Sequence, residues 1–168
     1  MQQPLIVTLT LDDQSFQFFD AKRRNHFPPA RNFLKAHLTL FHHLLLEPSK
    51  ISEDLALWSR QTAPITLQVA EVKNMGKGVA YKIVCPALLA LHQTMQAKWK
   101  PWLTPQDKQK LWPHVTVQNK VSPAQAQQTW MDLQAAFQPF TAKGLGFDLW
   151  AYEGGPWRIL DSFPFRKL

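Results

Sequence analysis

The sequence contains one cysteine, Cys85, among 168 residues, so it cannot form an internal disulfide bond and nothing in it indicates an oxidising compartment. No apolar run approaches the roughly 18 residues that a membrane-spanning helix requires. The amino end leads directly into the strand-like stretch 5–11, without the basic start and small-residue cleavage site of a signal peptide. Linkers and low-complexity tracts are also lacking. We therefore expect a single domain over residues 1–168, located in the cytoplasm and not on a membrane.

Positive charge and aromatic side chains are what the sequence has in excess. Nineteen Lys and Arg residues outnumber twelve Asp and Glu, which gives a net charge of +7, and the isoelectric point is about 9.7. Seven Trp and eleven Phe accompany this charge. Nucleic-acid sites combine phosphate-neutralising cations with stacking surfaces. The composition favours an anionic partner such as RNA or a nucleotide. The charge alone is less informative, because many proteins carry a similar charge that serves only their solubility.

Apolar periodicity and capping signals predict the element order β-α-β-α-β-β-α-β-α-β-β. This order is typical of an α+β protein with mostly antiparallel sheets. The two halves of the order are alike, because each has a strand with the pattern His–apolar–Thr–apolar, followed by polar residues and a capped helix. The sequence therefore predicts a weak internal duplication. Strands are expected at 5–11, 36–41, 65–72, 79–85, 114–118, 143–152 and 157–163, and helices at 12–26, 52–62, 88–102 and 122–137.

The two His–apolar–Thr–apolar strands place the residues with the most useful chemistry. They read His37-Leu38-Thr39-Leu40 and His114-Val115-Thr116-Val117. Side chains at positions i and i+2 of a strand share a face, so each strand presents one imidazole beside one hydroxyl and buries its apolar pair. One such strand is unremarkable, since Thr favours strands and half-buried His is common. Two copies at matching places in similar halves indicate a functional pair.

A pair of imidazoles and a pair of hydroxyls suits the cleavage of a phosphodiester. In-line displacement at phosphorus needs a base for the nucleophile's proton and an acid for the leaving oxygen, and two histidines can take both roles near neutral pH. The hydroxyls can donate to the non-bridging oxygens and stabilise the developing charge. We therefore predict that His37 and His114 are catalytic and that Thr39 and Thr116 bind the phosphate.

The tandem motifs resemble those of the 2H phosphoesterase superfamily. The longer strings AHLTLFHHL and PHVTVQNKV are similar to its bacterial 2′-5′ RNA ligase-like branch, which includes RNA 2′,3′-cyclic phosphodiesterases. The resemblance implies a bilobal, pseudo-twofold fold of two small sheets flanked by helices around a central cleft. It also implies hydrolysis or ligation at 2′,3′-cyclic phosphate ends without a metal or other cofactor, with the first histidine as acid and the second as base.

The sequence departs from related cyclic phosphodiesterases after the second motif, where many have an arginine. Here the residues are Gln118-Asn119-Lys120, and Lys120 would share a face with His114 only if the strand continues without a bulge. By strand parity His43 would face the cleft and His42 would not, although a strand that ends there could reverse this. Further candidates for substrate contact are therefore His43 and Lys120, with Tyr81 and Trp157 as aromatic groups that could stack on a base.

Several other features have ordinary explanations. The histidines near the first motif lack carboxylate or cysteine partners in sequence, so no metal site is expected. His26 and His92 are expected at the surface, and the basic run Lys22-Arg23-Arg24 is expected on a solvated helix face.

Three interpretations of the whole sequence stay open, all for a monomer. It is a hydrolase that opens a 2′,3′-cyclic phosphate on RNA, on a small cyclic nucleotide or on an ADP-ribose derivative. It is a 2′-5′ RNA ligase that uses the same groups. Or it is an RNA-binding module without activity, which two imidazoles beside two hydroxyls disfavour.

Overall fold

The computed structural model describes residues 3–167, and it confirms the α+β class. The strands are β1 (Leu5–Leu11), β2 (Leu38–Leu44), β3 (Ile65–Asn74), β4 (Val79–Val84), β5 (His114–Gln118), β6 (Phe140–Tyr152) and β7 (Trp157–Pro164). The helices are α1 (Asp13–His26), α2 (Pro48–Gln61), α3 (Pro86–Trp99) and α4 (Pro123–Ala136), with 3-10 turns at Pro29–Arg31 and Lys100–Trp102.

Local sequence explains the helix starts. Asp12 accepts a hydrogen bond from Ser15 N at the start of α1, and Ser122 accepts one from Gln125 N at the start of α4, where Pro123 fits the first helical position. The predicted helix start at residue 52 is wrong, because α2 begins four residues earlier at Pro48. Each of these α-helices has 14 residues. Among the described residues, no helix is long and apolar enough to cross a membrane.

The strands form one antiparallel sheet in the order β2-β1-β6-β3-β4-β5. The long strand β6 joins its two halves: β1 pairs along one edge, while β3 and then β7 pair along the other. The two small sheets expected from the sequence are therefore two halves of a continuous sheet. The sheet curls so far that its end strands, β2 and β5, contact each other. These are the strands that carry the two His–Thr motifs.

The two halves of the chain repeat one element order, and the first helix of each half packs against the other half. The first half is β1-α1-β2-α2-β3, and the second is β4-α3-β5-α4-β6, with β7 added at the end. Helix α1 packs against β5 of the second half. Helix α3 packs against β2 of the first half, where His92 stacks on Phe41 and Trp99 meets the same ring edge-on. Each motif strand is thus supported by a helix from the other half.

Candidate active site

The side chains of both motifs alternate in burial as predicted, although β2 begins at Leu38, one residue after His37. His37 and Thr39 are half-buried, whereas Leu38 and Leu40 are fully buried. His114 and Thr116 are likewise half-buried, between the buried residues Val115 and Val117. The apolar pair of each motif anchors the strand in the core, and the His–Thr pair is left on the open face.

A β-bulge follows each motif, and sequence analysis missed both. In β2, Thr39 pairs with Thr8 and Phe41 with Val7, so Leu40 is the extra residue. In β5, Thr116 pairs with Ala80 and Gln118 with Val79, so Val117 is the extra residue. A bulge places two consecutive side chains on the same side. Leu40 and Phe41 are accordingly both buried, as are Val117 and Gln118.

The bulges overturn two placements that rested on regular alternation. His42, and not His43, lines a cavity with Thr39 and His114. Strand β5 ends at Gln118, whose amide is buried against Thr129. Lys120 then lies exposed in a turn with φ of 62°, outside the strand, so the regular continuation that would bring it to the face of His114 does not occur. Glycine at position 78 permits the bulge, because a Cβ there would clash with the Gln118 carbonyl.

Both motif imidazoles are held in one tautomer by the main chain. The Nδ1 atom of His37 lies 2.8 Å from the carbonyl oxygen of Lys35. The Nδ1 atom of His114 lies 2.6 Å from the carbonyl oxygen of Trp112. A carbonyl oxygen can only accept, so each Nδ1 must carry the proton and donate it. Each Nε2 is then free either to accept a proton or, in the protonated ring, to give one.

A tryptophan packs on each of the two rings. Trp157 lies against His37 with the ring centroids 4.7 Å apart, and Trp112 stacks on His114 at 4.1 Å. The hydroxyls of Thr39 and Thr116 make no hydrogen bond with any residue among 3–167, so both are available to a ligand. The site therefore offers two oriented imidazoles and two unengaged hydroxyl donors.

Burial makes both imidazoles harder to protonate. Burial, together with the nearby charges of Arg23, His114 and His42, lowers the pKa of His37 to about 4, although the hydrogen bond to Lys35 opposes this. Burial also lowers the pKa of His114, against a hydrogen bond to Trp112. A free chain at neutral pH therefore has a neutral His37, which can act as an acid only after a ligand raises its pKa.

Two charged residues of α1 hold the motif strands from behind, and sequence analysis placed one of them at the surface. Arg23 is 4% exposed and donates from Nη1 to Thr116 O (3.0 Å) and from Nε to Asn32 Oδ1 (2.8 Å). Asp20, one turn earlier, accepts from Ala36 N (2.9 Å), the residue before His37. Burial lowers the pKa of Arg23 to about 10, so it stays charged at neutral pH. In the sequence, the three-residue spacing of Asp20 and Arg23, which puts both on one face of a helix, was the signal that could have indicated this pair.

Two cavities border the motifs and differ in character. The first, of about 480 Å³, is lined by His37, by the aromatic residues Phe16, Phe33, Trp150 and Trp157, and by Thr8, Thr10 and Asp148. The second, of about 270 Å³, is lined by Thr39 and His114 with His42, Lys110 and other polar residues. The first is therefore suited to an aromatic ring with a few polar edges, and the second to a polar group.

The remaining sequence candidates divide between the site and the core. Trp157 lines the aromatic cavity as a stacking residue would. The prediction for Tyr81 is wrong, because its ring is 1% exposed and packs between Phe18 and Phe137. His92 is buried and not at the surface, with Nε2 2.9 Å from Leu40 O. Among the described residues, no group of three or more His, Cys, Asp or Glu is arranged to hold a metal ion.

The curled antiparallel sheet with its paired His–Thr strands defines the chain as a 2H phosphoesterase. Residues 11–156 match the 2′-5′ RNA ligase superfamily, and the chain belongs to that family of phosphoesterases and ligases. A search of curated proteins found no match.

Solved structures show the same fold at low sequence identity. The protein TT0787 of Thermus thermophilus is 17% identical, with a TM-score of 0.63, and 97% of this chain covers 98% of it. E. coli LigT complexed with 3′-AMP is 16% identical, with a TM-score of 0.62 and coverage of 99% and 100%. A third solved structure, of a phosphoesterase, is 16% identical, with a TM-score of 0.61 and coverage of 99% of this chain and 100% of that one.

Proposed function

We propose that the chain opens 2′,3′-cyclic phosphates at RNA or nucleotide ends and leaves a 2′-phosphate, without a metal. One observation carries this proposal: both motif histidines are tied through Nδ1 to a carbonyl oxygen two residues upstream. The tether frees both Nε2 atoms in matching positions of the two halves. One neutral and one protonated imidazole, each fixed in orientation, are what acid–base displacement at phosphorus requires.

In this mechanism, His114 takes a proton from water through Nε2 while the water oxygen forms a bond to phosphorus. The bond from phosphorus to the 3′ oxygen breaks, and His37 protonates that oxygen through its own Nε2. Thr39 and Thr116 donate to the non-bridging oxygens, where negative charge develops. These roles for acid and base follow the family resemblance. They require that the phosphate anion raises the pKa of His37 from about 4 on binding.

The aromatic cavity supports a nucleoside as the part of the substrate next to the cyclic phosphate. It adjoins His37, and Trp157 and Phe33 line it with apolar ring surface. Stacking on aromatic side chains contributes about 1–3 kcal/mol per base and tolerates different bases. Thr10 and Asp148, which hydrogen-bond to each other at 3.0 Å, supply polar groups at the same cavity. We therefore place the base beside Trp157.

The 2′-5′ RNA ligase reaction is the second candidate, and the family of the chain favours it. In ligation the 5′-hydroxyl of another RNA replaces water, while the same imidazoles and hydroxyls serve. The products separate the two reactions: hydrolysis adds one water to the RNA, whereas ligation adds a second strand.

The deciding experiment incubates the chain with a short RNA that ends in a 2′,3′-cyclic phosphate, in the presence of a chelator. A second strand with a 5′-hydroxyl is added in one arm. Mass spectrometry then shows hydrolysis or ligation, and phosphorus NMR identifies a 2′-phosphate. A double variant, His37→Ala with His114→Ala, is the control. RNA that is bound but chemically unchanged would contradict both reactions and favour a binding module. Activity that needs an added divalent ion would contradict the metal-free mechanism.

A further inference from the structure

The polar cavity beside Thr39 and His114 contains a third histidine that the proposed reaction does not use. His42 reaches this cavity because the bulge at Leu40 turns it to the Thr39 side of β2. Its ring is partly exposed, with 40% of the side-chain surface accessible. Lys110 lines the same cavity.

A buried carboxylate fixes the orientation of this ring. Asp107 is 3% exposed, and its oxygens accept from the main-chain nitrogens of His42 (2.9 and 3.1 Å) and His43 (2.9 Å). Asp107 Oδ1 also lies 3.1 Å from His42 Nδ1, which must donate to it. Burial would raise the pKa of Asp107, but these hydrogen bonds lower it. Because Asp107 is ionised, it holds Nδ1–H of His42 and leaves Nε2 to the cavity.

The cavity therefore presents donors and positive charge. Asp107 is the one carboxylate among the described residues that line it, and its charge is already engaged by His42 and His43. In the protonated ring His42 Nε2 also carries a proton and can donate to a ligand, and Lys110, Gln106 and Gln109 line the same cavity. A set of donors of this kind binds an anion, and phosphate oxygens most readily.

We propose that this cavity binds a second phosphate of the substrate, on the 5′ side of the nucleoside whose cyclic phosphate reacts. The proposal rests on the proposed function for the position of the reacting phosphate. Thr39 and His114 belong to both the reacting site and this cavity, so a group bound here is continuous with the substrate. The preferred substrates are then 5′-phosphorylated cyclic nucleotides and RNA ends, and not cyclic nucleosides that carry one phosphate.

The first test measures binding without any reaction. Calorimetry compares 2′-AMP with adenosine 2′,5′-bisphosphate, which differ by one phosphate. The wild-type chain should bind the bisphosphate at least about tenfold more tightly, the value of one charge-assisted hydrogen bond. His42→Gln and Lys110→Ala should each lose most of this preference. Matched controls are His43→Gln and Lys108→Ala, which change neighbours that do not line the cavity and should keep the preference.

Equal affinity of the wild-type chain for both ligands would overturn the proposal, as would equal losses in His42→Gln and His43→Gln. Thermal melts check folding, and Lys110→Ala carries the same test if His42→Gln does not fold. The second test measures turnover of adenosine 2′,3′-cyclic phosphate with and without a 5′-phosphate, and of a dinucleotide with the same cyclic end. His42→Gln should raise KM for the 5′-phosphorylated substrates by about tenfold or more.

The turnover test separates this proposal from the proposed function. An equal fall of kcat on both mononucleotides would mean that His42 acts on the reacting phosphate, which overturns the second-phosphate site. Failure of every substrate to react, while the bisphosphate preference and its loss in His42→Gln persist, would refute the proposed function and leave the anion site standing. A gain with the 5′-phosphate alone and not with the dinucleotide would overturn the part of the proposal that concerns RNA ends.

Discussion

The segments β1-α1-β2 and β4-α3-β5, which begin the two halves of the chain, share more than their motifs. In both, the histidine Nδ1 donates to a carbonyl two residues back, a tryptophan packs on the ring, and a bulge follows the threonine. In both, a helix of the other half bonds a motif-strand carbonyl: Arg23 holds Thr116 O, and His92 lies at Leu40 O. These shared features fix the orientation of the imidazoles and hydroxyls.

The halves differ in what surrounds that shared set. The cavity next to His37 is aromatic, whereas the one next to His114 is polar. The supporting side chain is a charged arginine behind β5 but a buried histidine behind β2. Under the proposed function, the duplicated part would supply the chemistry at phosphorus, and the unequal part would select the substrate and set the protonation of each histidine.

The largest expected effect tests the chemical equivalence of the two histidines. His37→Ala and His114→Ala should each lower turnover of a 2′,3′-cyclic phosphate by about 10²–10⁴-fold, because each removes one proton-transfer group. The double variant should lose much less than the product of the single losses, since the two groups act as a unit. Near-normal turnover in both folded single variants, measured at several pH values, would refute the assignment.

The two threonines sharpen the same comparison. Thr39→Val and Thr116→Val keep the shape and remove one hydroxyl donor each, so each should lower kcat by about 10²-fold or less. Both hydroxyls are equally unengaged in the free chain, among the residues that the structure describes, so similar losses are expected. A loss confined to kcat, with KM little changed, would show that the hydroxyls act in the transition state. A loss at Thr39 alone would mean that the halves hold the phosphate unequally.

Sequence predicted the motif residues and missed the bulges, the Nδ1 tethers and the buried side chains that support the strands. The motif histidines and threonines, the element order and the α+β fold follow from local pattern, because strand alternation decides which side chains share a face. His42 and Lys120 were misplaced because a bulge adds one residue, and nothing in either strand's composition marks it. Arg23 was missed because its burial depends on a contact with β5, 93 residues away in sequence.

Arg23 gives the clearest way to break the comparison between supporting side chains. We expect Arg23→Gln to lower kcat by up to about 10²-fold, because β5 and the loop before His37 lose their common link and small displacements of reacting groups are costly. It should also move the acid limb of the kcat/KM profile to higher pH. That limb reports the lower of the two histidine pKa values, which is that of His37, and the positive charge that lowers this pKa is gone.

The matched control is His92→Gln, which removes the corresponding support of β2 without removing a fixed charge. It should lower the melting temperature but leave the acid limb in place. An unchanged limb in Arg23→Gln, or the same shift in both variants, would mean that Arg23 is only a structural residue.

The smallest effect concerns stability and tests whether the two histidines titrate unequally. The pKa of His37 is about 4 in the folded chain, below its ordinary value of 6.5, so the unfolded chain binds more protons between these values. Stability linked to His37 is therefore complete above about pH 6.5 and is lost as the pH falls towards 4.

His37→Asn removes this loss, so its melting temperature should fall less than that of the wild-type chain between about pH 7.5 and pH 4.5. His114→Asn should show a smaller change, because the pKa of His114 is lowered less far. The carboxylate Asp107, whose pKa is lowered from its ordinary value of 3.8, stays ionised in the folded chain over this range, and its small contribution is common to the wild-type chain and both variants. Equal changes in the two variants would mean that the surroundings of His37 and His114 do not differ in their effect on protonation.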